Sequence, residues 1–155
     1  METKTLKIEV PKGYKIDKEK STFENIVFKK VDNIVIKWNK NYNGVEIKAD
    51  GEYFILDANP SYVMSWNDAM LFYNNKHRSH TWNLPTINQL QVVHKYFDKI
   101  NKVIKENGGF VLHKSFYWSI EEKNEVFAGL VNMEDNYIFY NIKGKNYFVR
   151  AVATL

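Results

Sequence analysis

The sequence predicts an α+β fold: two helices packed on a mixed or antiparallel sheet, a C-terminal β-meander and an N-terminal β arm. Three observations predict it. Short alternating segments, broken by Pro/Gly, Asn-Gly and Asp-Gly turns, fill the first third. Two capped segments with helical apolar spacing occupy the middle. Aromatic-rich strand segments separated by polar breaks fill the last third.

The arm comes first. Residues 5–10 alternate Leu6, Ile8 and Val10 against Thr5, Lys7 and Glu9, and Pro11 and Gly13 end the run. Residues 23–31 (FENIVFKKV) and 34–38 (IVIKW) are further strands, split by Asp32-Asn33. We place a boundary near residue 40, with an arm at 1–40 and the main domain at 41–155. Asn43-Gly44 and Asp50-Gly51 then carry the favoured residues of type I′ hairpin turns, before VEIKA and residues 53–56.

Ser65 can cap a short helix, with Asp68 three residues on and Trp66, Ala69, Met70 and Tyr73 on one face. A polar loop covers residues 76–81. Thr86 and Gln89 form an S/T-x-x-E/Q box, and Pro85 and Leu90 flank it as a hydrophobic staple. Leu90, Val93, Phe97, Ile100 and Ile104 continue one apolar stripe until Gly108-Gly109. This predicts a single helix of about 20 residues, roughly 30 Å long. Strands at 116–120, 125–133, 136–142 and 146–153 then predict an antiparallel meander.

Composition removes several chemistries. The 155 residues suit one domain with a sizeable core. The chain has no cysteine, which excludes thiol catalysis, disulfides and thiolate metal sites. The net charge of +4 is spread, and no basic run exceeds two residues, so no nucleic-acid partner is expected. No apolar run is long enough to span a membrane, and the N-terminus has no apolar signal region. The expectation is a chain without membrane insertion, cytoplasmic as synthesised, that reaches a surface only as part of a particle or by another route.

Four motifs carry a resemblance: Ser65-Trp66-Asn67-Asp68-Ala69, Trp82-Asn83-Leu84-Pro85-Thr86, Tyr117-Trp118-Ser119 and Phe148-Val149-Arg150-Ala151-Val152. Their order resembles the bacterial and phage branch of the C-type lectin-like fold related to the formylglycine-generating enzyme domain. That branch includes sulfatase-modifying-factor-like domains, Lcl-type adhesin C-terminal domains and the variable proteins of diversity-generating retroelements. The resemblance covers residues 50–155. It implies Trp66, Trp82, Pro85, Thr86, Trp118 and Arg150 as structural hallmarks, with Trp82 between the second helix and the sheet. It departs at Asn83, where the family often has arginine. Lacking cysteine, the chain lacks what the enzyme members depend on, so the implied role is binding, phage-derived or at a cell surface.

Trp66-Asn67-Asp68 spells a tripeptide that holds calcium in sugar-binding C-type lectins, but here it opens a helix, and calcium needs six to eight converging oxygens. Asp68 reads instead as a helix-terminal acid. His77 and His80 flank Arg78 without a nearby acid, a poor metal pair. His94 reads as helix surface or a satisfied edge residue, and His113 is solitary. Glu121 and Glu122 are adjacent, so their side chains should diverge, and Ser119 lacks a nucleophile-elbow pattern. No enzyme activity, metal or cofactor is expected. Arg150, inside an apolar strand, needs a carboxylate or carbonyl partner if buried.

The meander is the best binding candidate. Asn132, Asn136, Tyr137, Tyr140, Asn141 and Asn146 offer rigid aromatic area and carboxamide donors and acceptors. The expected partner is a protein or glycan ligand. The alternative is an assembly protein of a particle or surface structure, self-associating through its N-terminal arm.

Overall fold

The computed structural model describes residues 7–30, 33–74 and 81–155. The chain forms two compact units, residues 1–33 and 34–155. In the first, β1 (Tyr14–Ile16) pairs antiparallel with β2 (Phe28–Lys30). The loop between them is held by side chains. Asp17 Oδ1 accepts from the N–H groups of Glu19 and Lys20, and Ser21 Oγ both accepts from Val27 N and donates to Val27 O. These local bonds compete with extended pairing. Of the strand expected over 23–31, only Phe28–Lys30 forms, with Val31 outside the described residues. Residues 7–10 carry no strand, and residues 5–6 are not described.

The larger unit begins before the expected boundary. β3 (Val35–Asn39) pairs along its whole length with β4 (Gly44–Ala49), so it belongs to this unit and not to the arm. Asn43-Gly44 is not a two-residue turn. Residues 40–43 make the loop, with Asn43 at φ 52°, and Gly44 already pairs with Asn39. Glycine is needed there because a Cβ would run into the Leu56 carbonyl oxygen. Asp50-Gly51 does make the two-residue turn to β5 (Glu52–Asp57), at φ 52° and 82°, as type I′ demands.

After β6 (Tyr62–Ser65), Ser65 Oγ accepts from Asp68 N and starts α1 (Trp66–Tyr73). β7 (Trp82–Asn83) leads into the capping box, where Thr86 Oγ1 accepts from Gln89 N and Gln89 Oε1 accepts from Thr86 N. The predicted single helix is two: α2 (Ile87–Lys95) and α3 (Phe97–Glu106), broken at Tyr96 (φ −109°, ψ 25°). The apolar stripe survives the break, but its two halves face different partners. α2 packs on β5 and on two strands of the second sheet, and α3 packs on β3 and β4. A straight helix could not follow both. α3 ends in a Schellman motif, with Gly108 at φ 74°, Gly108 N bonded to Lys105 O and Gly109 N to Ile104 O.

β8 (Phe116–Glu122), β9 (Phe127–Asn132) and β10 (Ile138–Ile142) form the expected antiparallel meander. The fourth expected strand leaves it. β11 (Asn146–Val149) runs parallel to β8 and antiparallel to β6, and β12 (Val152–Thr154) joins the other sheet. The cause is the Lys143 turn. Its carbonyl accepts from Trp66 N at 2.9 Å, its Nζ pairs with Glu122 Oε2 at 2.7 Å, and the ammonium lies 4.6 Å from the Trp66 ring centroid. That tie to the start of α1 sends the next strand beside β6 instead of β10. Two five-stranded sheets result, ordered β3-β4-β5-β12-β7 and β10-β9-β8-β11-β6.

Two cores follow. One gathers Ile47, Phe54 and Leu56 with Leu90, Ile100 and Ile104. The other gathers Trp66, Tyr73, Trp82, Leu84, Trp118 and Leu130. Trp82 therefore packs in the cluster of the first helix, not under the second as expected. Among the described residues no helix is long and apolar enough to cross a membrane.

Candidate binding surfaces

Residues 149–152 carry the chain from one sheet to the other, and Arg150 locks the crossing. It is 1% exposed, and burial pulls its pKa below the ordinary arginine value, against the opposing pull of Tyr117 and Asp57. Its guanidinium donates to the carbonyls of Asp57 (2.9 Å), Phe110 (2.7 Å) and Val111 (3.1 Å) and to Ser61 Oγ (3.0 and 2.9 Å). Ser61 Oγ also meets Tyr117 OH at 2.8 Å, and that hydroxyl accepts from His113 N. Tyr117 and the His113 ring both stack on Phe148. This network joins β8, β11 and two loops into one rigid frame.

The other hallmark side chains are equally occupied. Trp66 Nε1 donates to Ser119 O at 2.9 Å, and Trp118 Nε1 to Met64 O at 3.2 Å. Pro85 O accepts from Ile120 N, which leaves the β8 ladder at a register shift. Glu121 and Glu122 do diverge. Glu121 Oε2 accepts from Ile87 N at 2.7 Å, an anion on the N-terminus of α2, and Glu122 goes to Lys143. Ser119 Oγ is buried and donates to Gly129 O. No group of three or more His, Asp or Glu among the described residues is placed to hold a metal ion. His77 and His80 lie outside the described residues.

The six meander residues do not form one site. Alternation along β10 separates them. Tyr137, Phe139 and Asn141 point to one face, where Phe139 meets Phe116 (centroids 4.8 Å apart) and Tyr147 (6.2 Å), and Tyr137 stacks on Phe139 (6.3 Å). Asn141 Nδ2 donates to Tyr147 OH at 2.7 Å, and the Tyr147 ring stands edge-on to buried Trp118. The result is an aromatic platform, rooted in the core and half-exposed, with Tyr137 61% exposed at its rim. Tyr140 lies on the opposite face, near Gly129 and Ile87, with Lys123 over its ring. Asn146 is exposed at the start of β11. Asn132 is structural: its Oδ1 accepts from Glu134 N in the β9–β10 turn.

Asn136, at φ 64°, ends that turn and lines a different feature, a polar groove of about 710 Å³. The groove runs along Asn88, Gln91, Val92 and Lys95 of α2, with Asp50 and Glu52 opposite. Lys95 Nζ lies 3.1 Å from Asp50 Oδ2, and this hydrogen bond and charge raise the lysine pKa. His94, half-buried beside it, has Nε2 3.4 Å from Glu134 O. Tyr147 belongs to the Asn/Tyr-rich meander expected to bind, but Phe116 and Phe139 were not read from the sequence, although the period-two spacing of 137, 139 and 141 marks that face. The groove was not read either, although the polar spacing of positions 88, 91 and 95 marks one helix face.

No family model matches this chain, and no curated protein matches it in sequence.

Proposed function

We propose that the chain is a non-enzymatic binding module, displayed on a particle or cell surface, whose contact area is the aromatic platform. One observation carries this reading: Phe116, Tyr137, Phe139 and Tyr147 form a continuous, half-exposed ring network on the core of a rigid sheet. Exposed apolar patches rimmed by polar groups mark interaction sites. Aromatic side chains supply contact area at small cost in conformational entropy. The Asn141–Tyr147 bond and the Trp118 contact preset the Tyr147 ring before a ligand arrives. The scaffold we propose is C-type lectin-like. Its support is the order of the four motifs, each placed at a start, cap or joint of the larger unit: the α1 cap, the α2 capping box, the β8 strand and the β11–β12 crossing.

The ligand class is a protein or glycan with a flat apolar face that can lie on the rings. The test is a paired screen of the intact chain against an arrayed glycan set and a displayed peptide library. Any ligand obtained is then titrated against Tyr137→Ala and Phe139→Ala. Each substitution should weaken binding by about tenfold or more, the loss expected at an aromatic hot spot. A ligand held equally well by both variants, at unchanged thermal stability, overturns the assignment.

A further inference from the structure

The two sheets offer four edges, and three are blunted. β7 is two residues long. β3 carries Lys37, paired with Glu46. β6 follows Pro60 closely and runs directly into α1. β10 differs: its five residues, IFYNI, contain no charge and no proline. Such an edge is a template for another strand.

The free backbone groups can be located. Tyr137 O accepts from Asn132 N, and Lys143 N donates to Val126 O, so 137, 139, 141 and 143 face β9. Ile138, Tyr140 and Ile142 therefore turn their N–H and C=O groups outward. Ile142 is already served, since its N–H donates to Asn141 Oδ1 and its carbonyl accepts from Lys145 N. Ile138 and Tyr140 remain. The two residues are 36% and 40% exposed.

We propose that β10 is a self-pairing edge, joining two copies of the chain antiparallel about Phe139. In this register Ile138 of each copy faces Tyr140 of the other. Each copy brings two N–H and two C=O groups, and all close into one ladder. Phe139 meets its own copy across a non-hydrogen-bonded pair, the closest kind of cross-strand contact. Charge favours the antiparallel sense. The turn before β10 carries Glu134 and Asp135, and the turn after it carries Lys145, all exposed. Two-fold pairing lays the acidic turn of one copy beside the basic turn of the other. Lys143 is held by Glu122 and Lys123 sits over Tyr140, leaving Glu125 as the opposing charge at the basic end. The second copy is the occupant that this symmetry fits, and the contact closes at two chains because it consumes the edge. The pairing sets the two platforms side by side, with Phe139 shared between the ring network and the dimer contact, so the variants that test it lie at Ile138, Asp135 and Lys145, outside the platform.

Sedimentation velocity on the full chain over a concentration series tests it. The expected result is a reversible monomer–dimer equilibrium with no larger species. Ile138→Pro removes an outward N–H that makes no bond among the described residues, and should raise the dimer dissociation constant by about tenfold or more. Asp135→Lys and Lys145→Asp should each weaken the dimer, and the double variant should restore it. A chain monomeric throughout, or a dimer indifferent to Ile138→Pro and to both reversals, overturns the proposal. So does open-ended association. If Ile138→Pro fails to fold by circular dichroism, the charge reversals decide: weakening with restoration supports the pairing, and its absence overturns it.

Discussion

The two sheets of the larger unit have equal strand counts and opposite characters. In β3-β4-β5-β12-β7, the central strands are buried and α3 closes the face of β3 and β4. In β10-β9-β8-β11-β6, burial fades outward, from buried Tyr117 and Trp118 on β8 to the half-exposed alternation of β10. One sheet is a foundation, and the other a foundation on one side and a surface on the other. The difference teaches where function can sit. Aromatic rings turned toward the Arg150 joint, such as Tyr117 and Phe148, hold the sheets together, and those on the outer face, such as Tyr137 and Phe139, are free to contact something else. Substitutions near the joint should unfold the protein, and those at the rim should leave it folded.

The largest effect is expected at Trp118. It is fully buried, its indole N–H is bonded, and truncation to alanine should cost about 3–5 kcal/mol in chemical denaturation. Arg150→Met comes next. It leaves the buried Asp57 carbonyl without its donor, at about 1–3 kcal/mol, while the part-buried carbonyls of Phe110 and Val111 can turn to water and Ser61 Oγ keeps Tyr117 OH. A loss below about 1 kcal/mol would mean that the joint is not what couples the sheets. By contrast, Tyr137→Ala should change stability by no more than about 0.5 kcal/mol, as exposed substitutions do.

Legibility in the sequence follows the same division. Local devices were readable: the Ser65 cap, the Thr86–Gln89 box, the Asp50-Gly51 turn and the Gly108 stop each need only their neighbours. The break at Tyr96 was not, because an unbroken apolar stripe cannot say that its first half also reaches the second sheet while its second half stays on β3 and β4. The departure of β11 was not, because a Lys-Gly-Lys turn looks like any hairpin until Lys143 is seen tied to Trp66 and Glu122. The binding residues were half legible. Selecting Asn and Tyr by type mixed positions 137 and 141 with 140, which the strand's own alternation places on opposite faces.

A middle-sized prediction sharpens how the helix layer meets the outer sheet. Thr86→Ala removes the acceptor for Gln89 N and should cost about 1 kcal/mol. Glu121→Gln keeps the shape but removes the anion at Ile87 N, and should cost about 0.3–1 kcal/mol, shrinking with added salt. If the loss in Glu121→Gln did not shrink with added salt, the contact would act through packing and not charge.

The smallest effect sets two lysines against each other, one on each side of the divide. Lys143 is nearly buried, against the Trp66 ring and Glu122, and Lys95 is exposed beside Asp50. Lys143→Met should cost stability at all salt concentrations, because its carboxylate partner and ring are left with a changed contact in a half-dry site. Lys95→Met should show little at neutral pH, and that little should vanish in high salt. Its pH dependence has a definite sign. Asp50, through a hydrogen bond and its charge, raises the folded-state pKa of Lys95 above the unfolded value, with a smaller contribution from Tyr96. The stabilisation is thus complete below the unfolded lysine pKa and is lost as pH rises through the higher, folded one. The thermal midpoints of wild type and Lys95→Met should therefore converge as pH climbs through the alkaline lysine range. A gap that stayed constant across that range would mean that the Asp50 pair does not act in solution, and that the β4–β5 turn is held against α2 by packing and the Tyr96 hydroxyl bond alone.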